Sequence, residues 1–64
     1  MKLNGKYIKL EEPQHLDSFL KASGYKLDTV AVELNGEIIP KAGYCTTLVE
    51  DAAEIEVVRF VGGG

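Results

Sequence analysis

The residues best suited to chemistry lie at the end of the chain, where a strand-like segment runs into Gly62-Gly63-Gly64. Glycine has no Cβ, so such an end can enter a narrow channel that other residues would block. A free α-carboxylate on Gly64 is an anion at neutral pH, and it reacts with a nucleophile only after its oxygen becomes a leaving group. The pattern predicts a chain that offers its own C-terminus to another protein's active site. The alternative is a merely flexible end.

Chain length and charge narrow the classes of function. A chain of 64 residues forms one small domain that buries about 60% of its unfolded surface. That leaves no room for an enclosed pocket on the order of several hundred Å³, so we expect a protein that is not itself an enzyme. The formal net charge of -3 disfavours nucleic acid, whose binding depends on phosphate neutralisation, and favours a basic protein surface.

The cysteine count and the hydropathy of the sequence indicate the cellular compartment. Cys45 is the single cysteine, so no internal disulfide can form, as is usual in a reducing cytoplasm. One cysteine and one histidine, His15, do not supply the usual zinc ligands, and His15 is expected to be exposed. No apolar run approaches the roughly 20 residues of a membrane span, and the start lacks the apolar stretch of a signal peptide. These patterns predict a cytoplasmic protein with no membrane partner and no bound metal.

Two Asn-Gly pairs, Asn4-Gly5 and Asn35-Gly36, lie between alternating residues. They predict two-residue hairpins, because a type I′ turn needs positive φ at both central positions. Pro40 cannot donate to a ladder, so it is predicted to end the second hairpin. The predicted facing pairs are Met1/Ile8, Lys2/Tyr7 and Leu3/Lys6 in the first hairpin, and Val32/Ile39, Glu33/Ile38 and Leu34/Glu37 in the second. Alternation then assigns to the core face Met1, Leu3, Ile8, Leu10, Val30, Val32, Leu34 and Ile39.

Between the hairpins, apolar residues recur at helical spacing and predict a helix over residues 13–24. Pro13 suits its first turn. Gly24 suits the left-handed position after its end, where Tyr25 can close over Leu20. The stripe that should face the sheet consists of Leu16, Phe19, Leu20 and Ser23.

Residues 41–53 show no regular pattern and are predicted to form an irregular crossover. Cys45 in this segment is either a reactive thiol or an inert, small buried hydrophobe, and we expect the second, which is the commoner state of a free cysteine. Residues 54–61 form the longest strand pattern. Its apolar residues lie on both faces, as in a central strand: Ile55 and Val57 face the core, and Val58 and Phe60 face outward.

One helix covers only one face of a small sheet, so the other face stays open. A contiguous apolar patch there would mark a contact site, although scattered surface hydrophobes are also common. Phe60 is the predicted anchor, because buried aromatic residues dominate interface energetics. Arg59 is predicted either to pair with an acidic partner residue or to remain a solvated charge. The predicted partner-docking residues are Tyr7, Ile38, Val58, Arg59, Phe60 and Val61.

The order hairpin, helix, hairpin, irregular crossover and final strand resembles the ubiquitin-like β-grasp fold. That fold is an α+β architecture with a mixed sheet of about five strands and one main helix packed on one face. Residues 32–40 and 54–64, with the short start at residues 3–6, narrow this to a resemblance to the ThiS family, the sulfur carriers of thiamine thiazole synthesis. We therefore expect a β-grasp domain over residues 1–60 and a flexible C-terminal glycine tail over residues 61–64.

The resemblance implies a carrier rather than a catalyst. The carboxylate of Gly64 would be adenylated by a ThiF-like activating enzyme that uses ATP. A sulfur donor such as a cysteine desulfurase persulfide would convert it to a thiocarboxylate. A ThiG-like thiazole synthase would then take the sulfur, with Gly62 and Gly63 threading the partner's active site. The family implies no cofactor bound by the chain itself.

Three other functions are compatible with the same C-terminal glycines. The chain could carry sulfur for molybdopterin synthesis, or it could be a ubiquitin-like modifier that joins Gly64 to lysines of other proteins. It could also be a β-grasp interaction domain whose tail is inert. Thiazole formation, isopeptide conjugates and the effect of deleting Gly63 and Gly64 distinguish these possibilities.

Overall fold

A computed structural model describes residues 1–60 and contains two β-sheets and one α-helix. The regular elements in chain order are β1 Lys2–Leu3, β2 Lys6–Tyr7, β3 Gln14–His15, α1 Leu16–Ala22, β4 Val30–Leu34, β5 Glu37–Ile39, β6 Leu48–Val49 and β7 Glu54–Arg59. Two 3₁₀ helices span Leu27–Thr29 and Lys41–Gly43.

The main sheet has five strands in the order β2-β1-β7-β4-β5. The β1 strand runs parallel to β7, and the other neighbouring pairs are antiparallel. The sheet is therefore mixed, with β7 at its centre, and α1 packs on one face. This arrangement confirms the predicted α+β, ubiquitin-like β-grasp fold and the central position of the last strand.

Both hairpins form at the predicted turns. Asn4 and Asn35 each have φ of 51°, and Gly5 and Gly36 each have φ of 86°, as a type I′ turn requires. The predicted facing pairs are confirmed in both hairpins, including the outermost pair, in which the Met1 and Ile8 backbones exchange bonds of 2.7 and 2.8 Å.

The helix begins later than predicted. It starts at Leu16 rather than Pro13, because Gln14 and His15 are extended and pair with β6. The first N–H groups of the helix donate to carbonyls of the crossover, from Leu16 to Thr47 at 2.8 Å and from Asp17 to Tyr44 at 3.1 Å. The crossover therefore contributes the partners that a capping side chain would otherwise provide.

The end of the helix is confirmed in detail. Gly24 has φ of 91°, and its N–H donates to Lys21 O at 3.0 Å. The Tyr25 N–H donates to Leu20 O at 3.0 Å, which completes a Schellman motif. Tyr25 is partly buried against the core, so the helix end and the start of the next segment are joined by packing as well as by hydrogen bonds.

The core lies between α1 and the inner face of the main sheet. Leu16, Phe19 and Leu20 are buried as predicted, whereas Ser23 is exposed at the helix end. The buried residues are Met1, Leu10, Leu16, Phe19, Leu20, Val30, Val32, Tyr44, Val49, Ala53, Ile55 and Val57. Leu3, Ile8, Leu34 and Ile39 pack at its edge, so the predicted core face of both hairpins is confirmed.

The crossover is more ordered than the sequence indicates. Its β6 strand forms a two-stranded sheet with β3, and it places Tyr44 and Val49 in the core. Because Tyr44 points inward after the 3₁₀ helix, the next residue, Cys45, is exposed. The prediction of a buried Cys45 was wrong, whereas His15 is exposed as expected.

Asp51 joins the crossover to the first hairpin. Its Oδ1 accepts hydrogen bonds from the Leu10 N–H at 2.9 Å and from the Met1 amino group at 3.1 Å. The bond from the Leu10 backbone, followed by the bond from the amino group, holds the pKa of Asp51 below its ordinary value. The ionised carboxylate therefore stabilises the fold.

We expect the Asp51→Asn variant to melt at a lower temperature than the wild type at neutral pH. Because the folded-state pKa of Asp51 is lowered, the contribution of its carboxylate to the free energy of unfolding is fully present above the unfolded-state pKa of about 3.9. It is lost as the pH falls through the folded-state pKa. Thermal melts over that acidic range should show the two proteins converging. The exposed neighbour Glu50 provides the control, since Glu50→Gln should melt like the wild type, and a deficit of Asp51→Asn that persists in acid would contradict the assignment.

Candidate functional site

The candidate site is the face of the main sheet opposite α1. Along β7, Ile55 and Val57 are buried beneath the helix, while Glu54, Glu56 and Val58 alternate outward. No element among residues 1–60 covers this outer face, which we call the open face. Its two ends differ in chemistry.

One end of the open face is apolar. Ala31 on β4 lies opposite Val58 on β7, and Ile38 on the edge strand β5 lies diagonally from them, directly opposite Glu33. The exposed fractions are 75% for Ile38, 62% for Val58 and 63% for Phe60. Ala31, Ile38 and Val58 line a shallow depression of about 120 Å³ together with Glu33 and Glu56, which form its border. We call Ala31, Ile38, Val58 and Phe60 the apolar end.

The apolar end lies where the chain leaves the sheet. Phe60 follows the last residue of β7, and its N–H donates to Thr29 O at 2.9 Å. This bond extends the β4–β7 pairing beyond its last strand pair, Val30 and Arg59. The backbone is thus anchored up to the residue that precedes the predicted tail.

Tyr7 does not belong to the apolar end. It is 82% exposed, but it lies on the opposite edge strand, β2, next to Lys2 on β1, which in turn lies next to Glu54. The Lys2 ammonium lies 5.4 Å from the centre of the Tyr7 ring. The four exposed hydrophobic residues predicted to form one patch are therefore divided, with Tyr7 apart from Ile38, Val58 and Phe60.

Carboxylates separate Tyr7 from the apolar end. Glu33 on β4 lies directly opposite Glu56 on β7, and Glu54 follows on the same face. With Lys2 and the glycines of the two hairpin turns, these residues line a depression of about 310 Å³. The ion pairs of residues 1–60 involve other carboxylates. We call Glu33, Glu54 and Glu56 the acidic end.

The acidic end has an electrostatic consequence. Like charges that face each other across neighbouring strands are destabilising, so the Glu33–Glu56 pair favours positive charge arriving from outside. The acidic end lies beside the apolar end. The two ends together are complementary to a partner surface that has an apolar centre and basic side chains. Sequence alternation places Glu54 and Glu56 on this face, but only the β4–β7 pairing brings Glu33 to them.

Arg59 lies on the other side of the sheet. Its guanidinium is 4.8 Å from the centre of the Tyr25 ring, within the range of a cation–π contact. The side chain thus extends towards the end of α1, away from Val58 and Phe60. Strand alternation therefore places Arg59, which is exposed, on the helix side of the sheet and not on the open face with Val58 and Phe60. Its role in partner docking stays a prediction.

Comparison with known proteins settles the family, since the model of the ThiS family matches residues 1–64. This chain belongs to the ThiS family. The sulfur carrier protein ThiS of Bacillus subtilis is 42% identical over 66 residues, which cover 100% of this chain and 98% of that protein. A solved structure of ThiS from Geobacter metallireducens has a TM-score of 0.82 at 32% identity and covers 98% of this chain and 96% of that one.

The family domain also occurs within longer proteins. A thiazole synthase of Paramagnetospirillum magneticum is 36% identical over 62 residues, which cover 97% of this chain. The chain spans only 19% of the length of that enzyme. The sequence-based resemblance to the ThiS family is thus confirmed.

The residues predicted to react lie outside the described part of the chain. Gly64 as the adenylated residue, Gly62 and Gly63 as the threading segment, and Val61 as a docking residue all fall beyond residue 60. Among residues 1–60, no helix has the length and hydropathy to cross a membrane. In the same range, no group of three or more His, Cys, Asp or Glu residues is arranged to hold a metal ion.

Proposed function

We propose that this chain is a sulfur carrier protein of thiamine biosynthesis, with the carboxylate of Gly64 as the group that carries sulfur. The observation that carries the proposal is the relationship over the whole chain to a sulfur carrier protein ThiS, at 42% identity. The three terminal glycines supply the unhindered carboxylate that the chemistry needs. The chain is then a cosubstrate of other enzymes, and the described domain delivers its end to them.

The proposed chemistry begins with activation of the carboxylate. A ThiF-like enzyme uses ATP to join the Gly64 carboxylate to AMP with release of pyrophosphate, which turns a poor leaving group into a good one. The outer sulfur of a donor persulfide, such as that of a cysteine desulfurase, then attacks the acyl carbon, and AMP leaves, which gives an acyl disulfide between Gly64 and the donor. A second thiol attacks the donor-side sulfur of that S–S bond, forms a disulfide with the donor and releases the sulfur on Gly64 as a thiocarboxylate. The resulting thiocarboxylate passes its sulfur to a ThiG-like thiazole synthase. The pathway is proposed to operate in the cytoplasm, where ATP is available.

One of the relatives supports a thiazole synthase as a partner of this chain. In the Paramagnetospirillum magneticum protein, a segment similar to this whole chain makes up about a fifth of a thiazole synthase. A carrier and an acceptor that share one polypeptide are held at high effective concentration. We infer that the separate chain described here meets the same class of enzyme by docking.

The proposed docking surface is the apolar end of the open face, flanked by the acidic end. Phe60 stands nearest the tail, so contacts made there would orient the last residues towards a partner's active site. An extended segment of residues 61–64 spans at most about 13–14 Å at ~3.3–3.6 Å per residue. The partner's reactive centre must therefore lie close to the place where Phe60 docks.

Intact-protein mass spectrometry tests the proposed function. The chain is incubated with ATP, a ThiF-like enzyme, a persulfide donor and a thiol reductant, and its mass is compared with that of the untreated chain. We expect an adenylate and then a gain equal to the replacement of one oxygen by sulfur, located at Gly64 by fragmentation. If neither species forms with active partner enzymes, the proposal is wrong.

A matched pair of aromatic substitutions tests the docking surface. Phe60→Ala and Tyr7→Ala each remove an exposed ring from the open face, but from opposite ends of it. We expect Phe60→Ala to weaken binding to a ThiG-like thiazole synthase by at least about ten-fold, as loss of an interface anchor does. Tyr7→Ala should change the dissociation constant by less than about three-fold.

Titration calorimetry measures both constants, with circular dichroism as a check on folding. Equal effects of the two substitutions, or a larger effect of Tyr7→Ala, would contradict the assignment of docking to the apolar end. Such a result would leave the chemistry of Gly64 unaffected, so the two proposals are tested separately.

A further inference from the structure

We infer that Asn35 is a site of spontaneous deamidation, whereas Asn4, in the same local sequence, is protected by the fold. Both asparagines precede a glycine, and both follow a leucine. Glycine places no side chain in the way of its own backbone nitrogen, so Asn-Gly is the sequence in which that nitrogen most easily attacks the asparagine side chain. The structure gives the two sites different protection.

The reaction needs no enzyme and no oxidant. The backbone nitrogen of Gly36 loses its proton and forms a bond to Cγ of Asn35, while the bond from Cγ to Nδ2 breaks and ammonia leaves. The product is a five-membered succinimide. Water then opens either of its carbonyls, which gives aspartate or isoaspartate at position 35.

The turns themselves are matched. The φ angles of Asn4 and Asn35 are both 51°, and those of Gly5 and Gly36 are both 86°. Neither glycine has a neighbouring atom within 4 Å of the position that a Cβ would occupy. The cost of opening the turn is therefore similar at the two sites, and the difference must come from the side-chain amides.

The amide of Asn4 is held at both of its ends. Its Oδ1 accepts a hydrogen bond from the Val57 N–H at 2.7 Å, and its Nδ2 donates to Val57 O at 3.3 Å. Both bonds are partly buried. The side chain thus acts as an extra residue of the β1–β7 pairing, and both bonds must break before Cγ can turn towards Gly5.

Within residues 1–60, the amide of Asn35 is held at one end. Its Oδ1 accepts a hydrogen bond from the Glu54 N–H at 2.9 Å, and this bond is exposed. One fewer hydrogen bond has to break before the side chain can turn towards Gly36. The net free energy of a single hydrogen bond corresponds to a difference in deamidation rate of about five-fold. Because the Asn4 bonds are also partly buried, they should slow deamidation at Asn4 further.

Deamidation at position 35 would alter the open face. An aspartate would add a carboxylate next to Glu54, at the border of the acidic end. An isoaspartate would insert a methylene group into the main chain of a two-residue turn, and the register of a hairpin depends on the length of its turn. If the open face docks as proposed above, the modified chain is a distinct form of the carrier.

The test needs only the purified chain. Folded protein is kept in mildly alkaline buffer at physiological temperature, and peptide mass spectrometry follows aspartate and isoaspartate at both positions over time. We expect position 35 to convert at least about five-fold faster than position 4. Equal rates, faster conversion at position 4, or no conversion at position 35 would overturn the inference.

Denatured protein is the internal control. In concentrated denaturant the hydrogen bonds to Val57 and Glu54 are gone, so the two positions should convert at similar rates. If the folded-state ratio persists in denaturant, the cause is local sequence rather than the fold, and the inference is wrong. Because no partner enzyme takes part, this result is independent of the proposed sulfur chemistry.

Discussion

Removal of Gly63 and Gly64 is expected to abolish thiocarboxylate formation while the domain stays folded. The reacting group is a main-chain carboxylate, and the deletion moves it back by about 7 Å at ~3.3–3.6 Å per residue. Misplacement of reacting atoms by as little as about 1 Å can cost 10²-fold in rate. We therefore expect the rate in the mass-spectrometric assay to fall by at least about 100-fold.

An extension provides the complementary variant. One alanine added after Gly64 moves the carboxylate the other way and adds a Cβ to the end that must enter the partner's active site. We expect the same loss of rate. Both variants should keep the melting temperature of the parent chain, since the buried residues of the described range 1–60 end at Val57. Normal sulfur transfer by either variant would show that the reactive group lies elsewhere.

Truncation of Leu20 is expected to unfold most of the protein. Leu20 is fully buried in the contact between α1 and the sheet, and a buried Leu→Ala substitution costs about 2–5 kcal/mol. A single core in a chain of this size supplies about 3–5 kcal/mol of net stability. The cost therefore approaches the whole free energy of unfolding, and urea titrations should show little or no native baseline.

Leu48 is the matched control for that substitution. It is 51% exposed, on the short strand β6, and a substitution at such a surface position usually changes stability by about 0.5 kcal/mol or less. Leu48→Ala should therefore unfold near the wild-type urea midpoint. Similar losses in the two variants would mean that the core is not organised around α1.

Features that depend on neighbours in sequence were predicted well. The Asn-Gly turns, with their positive φ angles, set the register of both hairpins, and Gly24 with Tyr25 ends the helix as expected. These features were predictable because each requires a backbone conformation that few residue types adopt. The alternation of Ile55 and Val57 with Val58 likewise predicted which side of β7 would face the core.

Features that depend on distant segments were not predicted. The helix begins at Leu16 because His15 pairs with β6, more than 30 residues away in sequence. Cys45 is exposed because the crossover turns Tyr44 into the core instead. No local pattern contains this information, since a two-residue strand has no periodicity and its pairing depends on what lies beside it.

The sequence by itself determined the hairpins, the end of the helix, the faces of the strands and the family to which the chain belongs, because each depends on residue types at fixed spacing. Tertiary structure alone decided which strands lie on either side of β7. That choice put Glu33 opposite Glu56 and set Tyr7 apart from Phe60. The physical reason is that strand order is chosen by burial of the whole apolar surface under one helix, a property that no single segment carries.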